Sequence, residues 1–149
     1  MNIIFIYSID DILTPEKPLR TPAEMQFGIS YMSSVLKQGG HSTKLIVLSR
    51  LLGKANKKAV DRYLKEFKPR MVCFTAVSTE YPFIRSIAHY IKEKDPGIFL
   101  LIGGSHVSLN PEGVLDDGFD ALCIGEGEYP ALELAEQLTK GKGPSGIAN

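Results

Sequence analysis

Short runs of apolar residues alternate along the chain with segments in which apolar positions recur every three or four residues. The short runs predict strands, and the segments between them predict amphipathic helices. Because each run is nearly continuous and ends at turn residues, it is typical of a strand that is buried on both faces of a parallel sheet. The five predicted strands cover residues 3–7, 43–48, 71–75, 98–102 and 121–124.

The predicted helices have recognisable ends. Thr21-Pro22-Ala23-Glu24 has the pattern of a capping box with proline at the first helical position, and Gly39-Gly40 would end the helix that follows. Later helices are predicted over about 54–67, from Pro82 onward, between Asn110 and Gly118, and from Pro130 onward. The first of these five helices is expected to bury Met25, Ile29, Met32, Val35 and Leu36.

Strict alternation of strands and helices predicts right-handed crossovers and a parallel sheet that helices cover on both faces. We therefore expect a three-layer α/β/α fold of the flavodoxin-like (Rossmann-like) type, with the strand order 2-1-3-4-5. In such sheets a ligand binds at the carboxyl ends of the strands, in the crevice where the strand order reverses, here between strands one and three. The predicted domain covers residues 1–139, and the Gly/Pro/Lys-rich segment 140–149 is expected to be a linker.

Composition removes several classes of function. The chain has 17 Lys and Arg residues and 17 Asp and Glu residues, so it has no net positive charge that would favour nucleic-acid binding. A local basic patch stays possible. No apolar stretch reaches the roughly 18 residues that cross a bilayer, and the N-terminus lacks the features of a signal peptide. We therefore expect a cytoplasmic protein with neither a nucleic acid nor a membrane as its partner. The two cysteines, Cys73 and Cys123, fall in predicted strands and are expected to be small buried hydrophobes.

Two glycine loops stand at the predicted functional edge. Gly103-Gly104-Ser105-His106 follows the fourth strand, and Gly125-Glu126-Gly127-Glu128 follows the fifth. Glycine at the carboxyl end of a buried strand lets a ligand approach the backbone closely. The two loops therefore predict a ligand site before any chemistry is assigned to it.

Several familiar ligand chemistries do not fit these loops. No strand is followed by the Gly-Lys-Ser/Thr of a phosphate-binding loop, and the G-x-G that follows the fifth strand carries two glutamates that would repel a pyrophosphate. A phospho-receiver domain needs an aspartate after strand three and a lysine after strand five, and neither is present. Ser105 and His106 are adjacent, but no G-x-S-x-G elbow marks a nucleophilic hydrolase.

Each marked residue also has a structural interpretation. His106 could cap a rim loop, and Ser78 and Thr79 could cap the third helix, as readily as they could bind a ligand. Tyr81 and Tyr129 could stack on a planar ligand or pack at a helix entry, and Glu126 and Glu128 could complement a helix dipole. The other two histidines, His41 and His89, are expected at the surface.

Taken together, the motifs resemble those of one family, the N-terminal cobalamin-binding domain of B12-dependent radical S-adenosylmethionine enzymes. The family's stretch around the first helix is matched by Gly28, Tyr31, Leu36 and Gly40-His41, and its hydroxyl-rich loop after strand three by residues 77–82. The family's G-G-P-H motif is matched by residues 103–106, with serine in place of proline. Its G-E-G-E motif is intact at residues 125–128.

This resemblance implies a corrinoid lying on the carboxyl edge of the sheet, with its nucleotide tail in the crevice. It implies no histidine ligand from the first strand, because residues 8–13 lack the D-x-H-x-x-G motif of many cobalamin domains. The implied cofactor-binding residues are Ser8, Ile9, Asp10, Phe27, Gly28, Val77, Ser78, Thr79, Tyr81, Gly103, Gly104, Ser105, His106, Gly125, Glu126, Gly127 and Glu128.

The resemblance also implies a second domain. Radical chemistry needs a C-x-x-x-C-x-x-C motif, which this chain lacks, so a 4Fe-4S cluster and S-adenosylmethionine would belong to a C-terminal radical SAM domain in cis. The chain would then be the cobalamin module of a methyltransferase- or cyclase-like enzyme, and it would not be catalytic by itself. The alternative is a cofactor-free scaffold that holds a substrate or a partner domain at its loop rim.

Overall fold

The computed structural model describes residues 1–12, 14 and 17–147. These residues form one five-stranded parallel sheet with helices on both faces. The strands are β1 (Asn2–Ile9), β2 (Ser42–Ser49), β3 (Met71–Thr75), β4 (Phe99–Gly103) and β5 (Ala121–Leu122). The α-helices are α1 (Phe27–Gln38), α2 (Lys54–Phe67), α3 (Tyr81–Lys94), α4 (Ser105–Leu109) and α5 (Glu128–Thr139).

The strand order is β2-β1-β3-β4-β5, so the predicted flavodoxin-like topology is confirmed. The register aligns one apolar row across the sheet: Ile6 lies beside Ile46 on one side and Phe74 on the other, and the row continues through Ile102 to Leu122. Since all strands are parallel, their carboxyl ends and the loops after them meet at one edge. The two glycine loops therefore stand side by side, as the sequence predicts.

The sheet separates two apolar cores. Alternate residues of β1 enter opposite cores: Ile4 and Ile6 face α2 and α3, whereas Ile3, Phe5 and Tyr7 face α1 and α5. This alternation follows from the two-residue repeat of a strand, and burial on both faces explains why the strands are apolar throughout. Cys73 and Cys123 are both buried in the α1/α5 core, as expected.

The first helix begins later than predicted. The capping-box segment closes only a 3-10 turn at Pro22–Glu24, and the next two residues, Met25 and Gln26, are extended. Helix α1 therefore begins at Phe27, and Met25 is exposed, which corrects its expected burial. Of the other predicted positions, Ile29 and Leu36 are buried and Met32 packs against the α1/α5 core, whereas Val35 is only half-buried.

The fourth helix lies before, rather than after, its predicted start. It spans Ser105–Leu109, and Asn110 ends it in a non-helical conformation. Residues that precede proline disfavour the helical conformation, so Pro111 makes Asn110 a stop rather than a cap. Residues 111–117 form turns instead, closed by hydrogen bonds such as Val114 N to Pro111 O, 3.1 Å.

Two further expectations are corrected. Strand β5 has only two residues, and Ile124, expected to be buried, is 44% exposed. His41 is buried rather than at the surface, with its Nδ1 3.0 Å from the amino group of Met1. Burial, and then the charge of that amino group, lowers the pKa of His41.

His89 is exposed, as predicted. At the C-terminal end of the described chain, residues 140–147 turn back so that Ile147 packs against the α1/α5 core.

Among the residues that the structure describes, no helix combines the length and the apolar character needed to cross a membrane.

Candidate ligand cleft at the carboxyl edge of the sheet

A cleft of about 140 Å³ opens at the carboxyl ends of β3, β4 and β5, between the first turns of α1 and α5. Its floor is apolar and comes from the sheet, whereas its rim is formed by backbone of the glycine loops and by a few polar side chains. The lining residues are Phe5, Gln26, Gly28, Ile29, Met32, Cys73, Phe74, Thr75, Leu101, Gly103, Gly104, Cys123, Gly125, Glu126, Gly127 and Glu128.

Glycines shape this cleft in two different ways. Gly28, on α1, has no atom within 4 Å of the position that a Cβ would take, so its missing side chain leaves open space. At Gly127 a Cβ would lie 3.0 Å from Cys123 Sγ and 3.1 Å from Met32 Sδ, so glycine there permits α5 to approach the sheet. The cleft therefore exists because bulky side chains are absent from its walls.

Gly104 is the most constrained of these glycines. Its φ of +98° lies in a region that residues with a side chain rarely adopt. A Cβ there would lie 2.5 Å from Thr75 Oγ1 and 2.8 Å from the carbonyl oxygen of Ala76. The backbone of the β4 loop thus lies directly against the end of β3, which brings the first glycine loop to the cleft wall.

The crevice between β1 and β3, by contrast, is filled by protein. Ser8 is completely buried, and its hydroxyl has no hydrogen-bond partner among the described residues. Arg50 forms an ion pair with Asp10 and donates to the carbonyl oxygen of Thr79, 3.1 Å away. Burial raises the pKa of the nearby Glu80 carboxyl, and the Arg50 charge opposes that rise. The open cleft is accordingly displaced from the expected crevice toward β4 and β5.

A second polar array joins the β3 loop to the β4 loop. His106 Nδ1 lies 3.0 Å from Ser78 Oγ, and the imidazole packs on the ring of Tyr81 with centroids 4.2 Å apart. Tyr81 is buried, and its hydroxyl donates to Asp117 Oδ2 at 2.5 Å. The array fixes the position of His106 at the rim, on the α3 side of the sheet.

The sequence matches a known protein family over most of its length. A model of the family described as the B12 binding domain matches residues 24–135, about three quarters of the chain. The chain belongs to the B12-binding domain family. The matched residues include α1, β3, both glycine loops and most of α5, and therefore almost the whole wall of the cleft.

Curated relatives of this B12-binding domain are longer proteins. An uncharacterized methyltransferase of Pyrococcus horikoshii is 29% identical over 122 residues, covering 80% of this chain and 26% of the relative. An anaerobic magnesium-protoporphyrin IX monomethyl ester cyclase of Rubrivivax gelatinosus is 27% identical over 116 residues, covering 76% and 21%. The chain thus spans about a quarter of the length of the curated relatives that it matches.

Solved structures share the fold of the B12-binding domain. A cobalamin-binding protein from Desulfitobacterium hafniense superposes with a TM-score of 0.66 at 15% identity, over 91% of this chain and 57% of that one. The monomethylamine corrinoid protein of Methanosarcina barkeri gives 0.55 at 14% identity, over 89% and 57%. At these identities the likeness establishes the architecture alone.

The predicted site residues of the B12-binding domain fall into two groups. The cleft brings together the glycines of both loops, the two glutamates of the second loop and the glycine of α1. These residues are Gly28, Gly103, Gly104, Gly125, Glu126, Gly127 and Glu128. The others do not line it, being placed in the filled crevice, in the polar array or on the rim: Ser8, Ile9, Asp10, Phe27, Val77, Ser78, Thr79, Tyr81, Ser105 and His106. Of the rim residues, Phe27 is 62% exposed.

Sequence reasoning missed several cleft residues. Gln26 lies at the start of α1, and Thr75 is the last residue of β3. Thr75 could have been found, because polar residues at the carboxyl end of a buried strand stand at the ligand edge. Met32 and Cys73 carried no such signal, since thioether and thiol groups are ordinary constituents of a core.

The Tyr81–Asp117 hydrogen bond gives a pH-dependent prediction. The hydrogen bond from Tyr81 holds the pKa of Asp117 below its ordinary value of 3.8, and the Arg85 guanidinium lowers it further. Because the folded-state pKa is the lower one, this stabilisation is present above pH 3.8 and is lost as the pH falls through the folded-state value. Tyr81→Phe should cost about 1 kcal/mol at neutral pH.

Urea denaturation of the wild type and of Tyr81→Phe at a series of pH values checks this prediction. The difference between their free energies of unfolding should shrink below pH 3.8. Tyr31→Phe provides the control, since Tyr31 is a mostly exposed tyrosine on α1 and should change little at any pH. A Tyr81→Phe deficit that stays constant down to pH 2 would contradict the assignment.

Proposed function

We propose that the chain binds a corrinoid, cobalamin, across the carboxyl edge of its sheet and holds the nucleotide tail in the cleft between α1 and α5. The observation that carries this proposal is the glycine-lined cleft, which lies almost entirely within the residues matched by the B12-binding domain family. Under this proposal the binding residues are those of the cleft, together with the rim residues that the resemblance implies.

The cleft suits part of a large cofactor rather than the whole of a small one. Sites for drug-sized ligands measure roughly 300–1,000 Å³, well above the volume of about 140 Å³ here. Ile29 of α1 and the sheet residue Leu101 line the cleft and would supply apolar contacts to a flat heterocyclic base. The corrin itself would then lie outside, over the strand ends. Open space at Gly28 supports this fit, because any side chain there would occupy the volume that the base needs.

The polar groups of the rim suit the hydroxyl and amide groups of the tail. Its single phosphodiester charge would lie away from Glu126 and Glu128, since these carboxylates would repel it as they would a pyrophosphate. Thr75 can donate or accept a hydrogen bond, and Gln26 can do both, whereas the Glu128 carboxylate accepts. Gly103 and Gly104 permit the tail to pass close to the backbone. Bound cobalamin would supply a cobalt centre able to carry an alkyl group, and the residues of this chain would bind and orient it.

The β1 loop does not offer an imidazole to cobalt. Its residues Ser8, Ile9 and Asp10 include no histidine, and Asp10 is engaged by Arg50. We therefore propose that the cofactor is held through its tail and periphery rather than through a histidine of this loop. No cluster of three or more His, Cys, Asp or Glu residues able to hold a metal ion occurs within the described part of the chain.

We further propose that the domain serves a longer radical SAM enzyme of the methyltransferase or cyclase type. The names of the two relatives, a methyltransferase and a cyclase, support this setting. The two buried cysteines of this chain are too few to ligate a 4Fe-4S cluster, so that cluster and S-adenosylmethionine would belong to another domain. The domain by itself would bind and present the cofactor without catalysis.

Binding of cobalamin and of cobinamide, which lacks the nucleotide tail, tests the placement of the tail. Hydroxocobalamin should bind one molecule per chain, and cobinamide should bind at least about tenfold more weakly, a loss of about 1.4 kcal/mol. Isothermal titration calorimetry measures both dissociation constants, and the visible spectrum reports on the cobalt environment.

The two outcomes that contradict the proposal are distinct. Equal affinity for cobalamin and cobinamide would remove the nucleotide tail from the cleft while leaving corrinoid binding in place. Absence of binding to both would instead favour the cofactor-free scaffold that holds a substrate or partner domain at its rim.

A further inference from the structure

The neutral net charge of the chain conceals a strong segregation of charge. Residues 44–70 contain nine of the 17 Lys and Arg residues and only two acidic residues. Residues 101–139 contain eight Asp and Glu residues and no Lys or Arg. Helix α2 lies within the first segment and contributes five of these nine cations.

The cations of α2 form a stripe along one side of the helix. Lys54, Lys58 and Lys65 of α2, and Lys68 directly after its end, recur at intervals of three, four or seven residues, and all four are exposed. A helix of 14 residues is about 21 Å long at a rise of 1.5 Å per residue. The stripe therefore presents positive charge over a distance that matches a short extended or helical segment of another protein.

The four lysines of the stripe outnumber the one carboxylate that lies among them. Among the described residues, none of the lysines of α2 takes part in an ion pair. Lys57 instead lies over the ring of Tyr90, 4.5 Å from its centroid, and Lys94 lies 5.3 Å from the same centroid. The one acidic residue within the stripe, Asp61, accepts hydrogen bonds from the Tyr90 hydroxyl, 2.8 Å away.

The stripe ends at a groove between the last turns of α2 and α3, at the amino edge of the sheet. The groove measures about 310 Å³ and lies at the opposite end of the strands from the cofactor cleft. Its floor includes Leu64, Pro69 and Ile98. Three lysines, Lys65, Lys68 and Lys94, line it together with two aspartates. Both carboxylates accept hydrogen bonds within the molecule, Asp61 from the Tyr90 hydroxyl and Asp95 from the Gly97 amide.

We propose that this groove, together with the α2 stripe, docks an acidic segment of a partner protein. Carboxylates of the segment would face Lys65, Lys68 and Lys94, and an apolar side chain between them would rest on the floor near Leu64. The surface is distinct from the corrinoid cleft, so the proposal does not depend on the proposed cofactor.

The chemistry of the groove favours a protein over a nucleic acid. Single-stranded nucleic acids bind by stacking bases on exposed aromatic faces, and two lysines already lie over the Tyr90 ring. An apolar floor between cations also matches an acidic peptide with a hydrophobic anchor better than it matches a phosphate backbone. Charge complementarity with exposed partners of this kind sets the association rate and makes it sensitive to salt.

Fluorescence anisotropy of a labelled peptide of glutamates with one central leucine tests the proposal on the full chain. The peptide should bind the wild type at low salt and be released as the salt concentration rises. Lys65→Glu with Lys94→Glu should weaken binding at least tenfold, because attraction becomes repulsion at two rim positions. Lys140→Glu with Lys142→Glu is the matched control, with the same change in net charge at exposed sites away from the groove, and it should bind within twofold of the wild type.

Circular dichroism establishes that each variant is folded, and Lys65→Gln with Lys94→Gln keeps the test valid if the charge reversal unfolds the chain. The Gln variant should also bind more weakly than the control. Equal binding by the groove variants and the control would overturn the proposal. Tighter binding of double-stranded RNA or of phosphatidylserine vesicles than of the peptide, lost in the same variants, would also overturn it by assigning the surface to a different partner.

Discussion

Replacing Gly104 by alanine is expected to lower the free energy of unfolding by about 3 kcal/mol. Two effects add at this position. The backbone has a φ of +98°, which disfavours any residue with a Cβ, and the Cβ would lie 2.5 Å from Thr75 Oγ1 and 2.9 Å from the amide nitrogen of Ala76. This nitrogen belongs to the backbone directly after β3. It cannot move away from the new Cβ unless the end of the strand moves with it.

Chemical denaturation measures the effect, and Gly40→Ala separates its two causes. Gly40 has a similar φ of +80°, but its Cβ position has no atom within 4 Å. That control should cost only the conformational term, about 1 kcal/mol. If the two variants lose the same stability, the close approach of the β4 loop to β3 is not the reason for glycine at position 104.

Replacing Gly28 by leucine is expected to leave the fold intact and to weaken cobalamin binding at least 100-fold, a loss of about 2.7 kcal/mol. The position lies on α1 with open space beside it, and a leucine side chain would occupy the cleft that we assign to the nucleotide tail. Leucine is also a better helix former than glycine, so stability should not fall.

Calorimetric titration with hydroxocobalamin measures the loss, and thermal unfolding confirms that the variant is folded. Ser34→Leu adds the same side chain at an exposed position of α1 that does not line the cleft, and it should keep wild-type affinity. Unchanged affinity in a folded Gly28→Leu variant would show that the tail binds elsewhere. A wild type that binds no corrinoid would refute the proposed function itself, before either variant is tested.

Most of the fold could be predicted because its determinants are local. Short continuous apolar runs such as residues 71–75 are typical of strands that are buried on both faces, and their alternation with helices leaves few topologies. The predicted ends were less accurate where competing local signals met. The capping-box pattern at Thr21 closed a 3-10 turn, and Pro111 ended a helix where it was expected to follow a cap.

The sequence also placed the glycine loops correctly at one edge, because parallel strands bring their carboxyl ends together. It did not indicate which part of that edge is open. That depends on contacts between distant residues: Arg50 pairs with Asp10 and joins the β1 and β3 loops, while Ser8 is buried beneath them. His41 was misplaced for the same reason, since its partner is the amino group of Met1.

By itself, then, the sequence determined the element types, the sheet order, the functional edge and the family resemblance, since each depends on periodicity, turn chemistry or short motifs. The tertiary structure alone decided that the cleft lies between α1 and α5 and that the β1–β3 crevice is filled. It also showed that the cations of α2 face outward without carboxylate partners among the described residues. The physical reason is the same in each case. Open volume and unpaired charge depend on contacts between residues that are distant in the sequence, and local patterns do not specify those contacts.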